Sequence, residues 1–214
     1  MVKQDSSEIE KIQNEEGVEQ INNLDEIHEK GFLNKAGLFF LEVIKIVVLA
    51  GITIGLVRYF LFKPFYVKGQ SMEPTFYERD YLIIDEITYR FRLPERGEVV
   101  VLDSPVNSDH YLKRIVGVPG DRVKVEEGKV IIYNDTYPRG WVLEEEYVTE
   151  NTPGSLSITL GDNQYFVLGD NRDASYDSRR FGAINRSEII GRVWLRGWPF
   201  SRVSTFTVPE YTQS

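Results

Sequence analysis

Hydrophobic and polar positions divide the chain into three regimes. Residues 1–37 are polar, rich in Glu, Asn and Gln and poor in aromatics, which predicts a disordered tail rather than a packed element. Residues 38–62, Leu38 to Phe62, are apolar all round a helix and are broken only by Glu42, Lys45 and Arg58. A helix of that length would be about 37 Å long. That exceeds a hydrocarbon core of about 30 Å, so a single membrane span is predicted. The uncharged stretch Ile46–Val57 is short enough that a buried core helix is the rival reading. A cleavable signal peptide fits less well, because the preceding region is acidic and no Ala-x-Ala follows. Gly51 and Gly55 have the spacing of a helix–helix contact, and the flanking lysines give no clear orientation.

After Pro64 the pattern changes to short β-branched and aromatic runs. Asp80–Phe91, Glu98–Leu102, Tyr111–Val116, Tyr165–Leu168 and Gly191–Leu195 read as strands. Val123–Tyr133 alternates about Gly128 as a hairpin. No ten-residue amphipathic helix interrupts them. The predicted fold is therefore mainly β: one N-terminal transmembrane helix, then an all-β, partly barrel-like domain. Its core is expected over 63–121 and 165–214, with 122–164 as an inserted hairpin or excursion.

Composition narrows the chemistry. The chain has 214 residues, no Cys, two His and a net charge of −8. Absence of Cys excludes disulfides, cysteine catalysis and Cys-type metal sites. With only His28 and His110, a Ser-His-Asp triad or a multi-His metal site is nearly excluded. The acidic balance argues against nucleic-acid binding.

Three segments carry candidate chemistry. Gly69–Phe76 sets Ser71 in a turn between Gly69 and Pro74, where its hydroxyl can be presented. Tyr111–Asp121 places Lys113 and Arg114 inside an apolar run; strand alternation would turn one of them to the core and the other to solvent. Gly169–Gly182 is dense in Asp, Asn, Arg and Ser, as in a salt-bridged loop, and lacks the Gly and Glu of a calcium loop. A serine nucleophile needs a base. Without a usable histidine, a lysine is the remaining candidate. Leu112, Ile115 and Val116 would lower the pKa of Lys113 by burial.

Ser71-Met72-Glu73-Pro74-Thr75, Lys113 to Asp121 and Gly169 to Arg179, in that order after an apolar span, resemble the signature blocks of the bacterial type I signal peptidases. The resemblance covers residues 64–200. It implies a membrane-anchored serine endopeptidase that removes signal peptides after small residues of the Ala-x-Ala type. It implies Ser71 as nucleophile, Lys113 as general base and Ser175 as the group orienting Lys113. It further implies an Asp177–Arg179 ion pair supporting the site, with Asp170 and Arg172 in the same loop. The Ser71 amide is implied as one oxyanion donor; Gly69 stands where some members supply a second through a serine hydroxyl. Val67, Met72, Tyr111 and Leu112 are implied to line the substrate pocket, with the substrate strand along Phe65–Gly69 and His110–Lys113. No cofactor or metal is implied. The implied partners are preprotein signal peptides and the lipid bilayer, with the secretion translocon as a further candidate and no nucleic acid. The implied location is the bacterial plasma membrane, N-terminus cytoplasmic and catalytic domain outside. Self-cleaving SOS-type repressors share the Ser-Lys pair but need a DNA-binding domain. A membrane-anchored scaffold is the non-enzyme alternative.

Overall fold

The structure, a computed structural model, describes residues 37–55, 62–209 and 211, in two units divided after Leu56. The expected tail, apart from Gly37, and residues 56–61 of the expected span lie outside the described residues. In the first unit, helix α1 (Gly37–Gly55) has 19 residues. It is about 28 Å long, long and apolar enough to cross a membrane, and exposed throughout. Its Thr53 hydroxyl donates to the Leu49 carbonyl at 2.9 Å, which satisfies the one polar group of that turn within the helix itself. Phe62, the end of the expected helical run, instead begins a strand.

The second unit is antiparallel β. Its strands are β1 (Phe62–Tyr66), β2 (Tyr81–Asp85), β3 (Val99–Asp103), β4 (His110–Gly117), β5 (Arg122–Glu126), β6 (Lys129–Tyr133), β7 (Trp141–Val142), β8 (Leu156–Thr159), β9 (Gln164–Leu168), β10 (Ile184–Asn185), β11 (Ile189–Trp198) and β12 (Ser204–Thr205). A short helix, α2 (Ser178–Phe181), lies between β9 and β10. The larger sheet runs β1-β2-β11-β3-β4-β9-β10, with β12 paired to β11; the smaller runs β7-β6-β5-β8. Both orders have free ends, so neither sheet closes into a barrel.

Two expectations change in detail. The run Asp80–Phe91 does not continue as one strand. Asp85 Oδ1 accepts the Thr88 amide at 3.0 Å and Oδ2 accepts the Thr88 hydroxyl at 2.6 Å, so Asp85 ends β2 and starts a 3₁₀ turn. Region 122–164 is also more than a hairpin. Glu127 and Gly128, with φ of 50° and 78°, form the tight turn joining β5 to β6, and β7 and β8 extend the pair to four strands.

Strand β4 lies between β3 and β9 and feeds all three hydrophobic clusters. Leu112 packs with Val67, Met72 and Phe76; Ile115 with Val100 and Val167; Val116 with Phe166 and Leu168. Alternation on β4 was expected to expose either Lys113 or Arg114. Both are buried, at 4% and 5% exposure, because β4 is covered on both faces.

Candidate active site

The turn carrying Ser71 is fastened at several points. Met72 and Phe76 plug into the core below it, and the Phe76 amide closes on the Met72 carbonyl at 2.8 Å. Arg196 donates to the Thr75 carbonyl at 2.9 Å. Asp80, fully buried, accepts from the Tyr77 amide and pairs with both Arg196 and Arg202, which holds the far end of the turn.

Lys113 Nζ donates to Ser71 Oγ at 3.0 Å and to the Leu112 carbonyl at 3.0 Å, and lies 5.3 Å from the centre of the Tyr111 ring. Burial pushes the Lys113 ammonium down to about 8, although the carboxylates of Asp177 and Asp170 pull the other way. At a pKa of 8 roughly one lysine in ten is neutral at pH 7, against fewer than about one in a thousand at the ordinary value. A free amine within hydrogen-bond reach of a hydroxyl can take its proton.

The loop after β9 supplies the surroundings. Asp177 binds Arg179 through both carboxylate oxygens at 2.8 Å, caps α2 at the Arg179 amide and accepts the Gly169 amide at 3.1 Å. Asp170 binds Arg114 the same way, at 2.8 and 2.6 Å, and accepts the Thr75 hydroxyl at 2.6 Å. Arg172 pairs with Glu145. The Asn171 amide donates to the Ser71 carbonyl at 3.1 Å. At Gly169 any Cβ would collide with that same carbonyl and with the Ser175 side chain, so this position requires glycine.

Ser175 is buried but makes no hydrogen bond to Lys113; among the described residues its hydroxyl has no partner. The ammonium is spent on Ser71 and Leu112 instead. Gly69 has a φ of +79° and nothing within 4 Å of where a side chain would start, so no side-chain donor stands there. Val67, Met72, Tyr111 and Leu112 line one cleft of about 480 Å³ together with Ser71 and Lys113. They share it with Lys68, Ser108, Asp109 and His110, so its lining is not wholly apolar. A larger hollow of about 900 Å³, beside Glu127, Glu150 and Asp173, contains neither Ser71 nor Lys113. Among the described residues no acidic or histidine cluster could hold a metal.

Sequence reasoning did not single out Thr75, Asp80, Glu145, Tyr147 or Arg196, or pair Asp170 with Arg114. Thr75 sits within the Ser71 block and was the most legible of these. The others are ordinary charged or aromatic residues until folding buries Asp80 and partly buries Glu145, Tyr147 and Arg196.

Comparison with known proteins bears on the same residues. The family model described as "Signal peptidase, peptidase S26" matches residues 40–198. The probable signal peptidase I-2 of Synechocystis sp. is 40% identical over 176 residues, covering 78% of each chain. Signal peptidase IB of Staphylococcus aureus is 33% identical over 187 residues, 81% of this chain and 97% of that one. A crystal structure of a signal peptidase I from Enterococcus faecalis is 28% identical, covers 47% of this chain and 97% of that one, and superposes with a TM-score of 0.41. The family match begins within α1, ends with β11 and takes in the Ser71 turn, β4 and the acidic loop, and on that extent the chain belongs to the signal peptidase family, peptidase S26, and is a serine endopeptidase.

Proposed function

We propose that Ser71 is the nucleophile and Lys113 the general base of this endopeptidase, which cuts signal peptides from secreted preproteins after small residues. The observation that carries the reading is the 3.0 Å contact between Lys113 Nζ and Ser71 Oγ, made by a lysine that burial drives toward its neutral form. Neutral Lys113 accepts the Ser71 proton as Oγ attacks the scissile carbonyl. The resulting ammonium passes that proton to the leaving amine, and Ser71 is left acylated. Lys113, neutral again, takes a proton from water as the water oxygen attacks the ester, then returns it to Ser71 Oγ as the ester bond breaks and the signal peptide leaves with a free carboxylate. Asp170, Asp177, Arg179 and Ser175 support this geometry.

An extended substrate lies along Phe65–Gly69 and His110–Lys113, where backbone pairing supplies affinity. Alternate side chains then enter the cleft beside Val67, Met72, Tyr111 and Leu112, so the residues one and three before the cut are selected for small size. The chain is organised as a tail ahead of Gly37, a span that contains α1, a catalytic core that begins with β1 (62–121 and 165–214) and an excursion (122–164). The span anchors it in the bacterial plasma membrane with the N-terminus cytoplasmic and the catalytic domain outside. The preprotein and the bilayer are its partners, and the secretion translocon is the neighbour from which the preprotein emerges. No cofactor takes part. The test is cleavage of a purified preprotein by the full chain in detergent. Ser71→Ala and Lys113→Met should each abolish it, with mature N-termini read by sequencing. Cleavage retained by either variant would refute the pair.

A further inference from the structure

Behind β4 lies a polar assembly that the three sequence blocks only partly contain. Arg114 follows Lys113 on β4, donates to Asp170 through Nε and Nη2, and donates to the Gly97 carbonyl through Nη1 at 2.8 Å. The carbon of its guanidinium lies 3.8 Å from the centre of the Tyr147 ring, a stacking distance. Tyr147 comes from the stretch between β7 and β8. Its hydroxyl donates to Glu145 at 2.6 Å and lies 3.1 Å from the Tyr211 hydroxyl. Glu145 in turn accepts both terminal nitrogens of Arg172, at 2.8 and 2.6 Å, and Arg172 Nε donates to the Gly169 carbonyl at 2.9 Å. Thr152 also contacts Arg172. Residues 145–152 therefore hold the 169–172 loop by Arg172 and by the partner of Asp170.

We infer that Tyr147 and Glu145 are positioning residues for the Ser71–Lys113 pair, acting through Arg114 and Arg172 on the loop that carries Asp170 and Asn171. The inference rests on the roles proposed for Ser71 and Lys113. Its mechanical route is short. Asp170 accepts the Thr75 hydroxyl, and Asn171 donates to the Ser71 carbonyl, so a shift of the loop moves the nucleophile's turn. There is also an electrostatic route. The groups facing Lys113 are the Ser71 hydroxyl, the Tyr111 ring on its own strand, and Asp170 and Asp177 on the loop after β9. If Arg114 is loosened, Asp170 is less neutralised and holds Lys113 protonated to higher pH.

The test uses the full-length chain in detergent and a secretory preprotein with Ala one and three residues before the cut. Tyr147→Leu removes the stacking face, and Tyr147→Phe keeps it. Glu145→Gln keeps the size and removes the charge opposite Arg172. Tyr147→Leu should lower kcat by about tenfold or more with KM nearly unchanged, as misplacement of reacting groups does. Its kcat–pH midpoint should also move upward. Tyr147→Phe should recover most of both. Glu145→Gln should lower kcat severalfold with KM unchanged. Equal kcat for the Leu and Phe variants, or a loss confined to KM, would overturn the inference. Should the Leu variant fail to fold, Glu145→Gln decides, and an unchanged kcat there overturns it. Ser71→Ala separates the two levels. If it is inactive while the Tyr147 and Glu145 variants behave as the parent, only this inference fails; if it is active, the dyad itself fails.

Discussion

The amide of Asn171 donates to the carbonyl oxygen of Ser71 at 3.1 Å, so the backbone of the loop after β9 holds the peptide unit of the proposed nucleophile. Gly169 lies two residues upstream and backs the same carbonyl. Gly169→Ala should push the turn away from Lys113. Overpacking of this kind typically costs about 1–3 kcal/mol. The expected outcome is a modest fall in melting temperature with a much larger fall in kcat. A variant with parental activity would mean that the turn tolerates the displacement.

Lys113 should give activity a defined pH dependence. The proposed base works as the free amine, so kcat/KM, which reports the free enzyme, should rise with pH to a plateau, with a midpoint near the value of about 8 set by burial. Rates measured between pH 6 and 10 check this; a flat profile would count against a lysine base. Lys113→Arg should be inactive, because arginine does not lose its proton in a protein.

The same burial makes Lys113 a cost to the fold. Its native pKa lies below the unfolded value of 10.5, so the penalty is absent above that value, grows as pH falls, and is complete below about 8. Lys113→Met should therefore be inactive yet more stable near pH 7, by on the order of 1–3 kcal/mol. Thermal unfolding of both proteins should show a gap that closes toward pH 10.5. A gap that widens instead would reverse the sign of the argument.

Asp177 has both a structural and an electrostatic role. Removing it strands Arg179, which is only slightly exposed, and leaves the Gly169 amide without its acceptor. Breaking a buried pair from one side costs about 3–5 kcal/mol. Asp177→Ala should lose stability and activity together. Any residual activity should have a lower pH midpoint, because a carboxylate that favours the Lys113 ammonium is gone. An inactive variant of undiminished stability would place Asp177 in the chemistry itself.

Leu112 tests the cleft. It packs with Val67 and Met72, so Leu112→Ala opens a cavity and should cost about 2–5 kcal/mol. It should also admit larger side chains before the cut and blur the cleavage register, as read by sequencing the new N-termini. An unchanged register would remove Leu112 from the pocket.

Much of this molecule can be read from local pattern. The hairpin over Val123–Tyr133 carries its own turn chemistry at Glu127–Gly128, and the Ser71 and Lys113 segments stand out because the chain lacks a usable histidine. Other features depend on distant residues. Alternation on β4 suggests one exposed cation, but whether a strand is covered on one face or two is decided by its neighbours. Arg114 and Asp170 are 56 positions apart, and nothing in either segment names the other. The end of β2 at Asp85 depends on a side chain that prefers to cap the next turn rather than extend the ladder. Ser175 shows the converse: a residue in the expected loop whose hydroxyl does not make the expected bond.

Leu112, Ile115 and Val116 tie β4 to three hydrophobic clusters, and its Arg114–Gly117 half also pairs with β9, so this half should exchange its amide hydrogens only when the whole domain opens. The lysine β4 carries cannot be brought to a substrate by a local hinge. On the proposed substrate path, adaptation then falls to the other side of the encounter: only a peptide already extended could lie flat beside Lys113. With Lys113 as the proposed base, a rigid β4 should act as a conformational filter, one that spares folded segments even where their residues would fit the cleft.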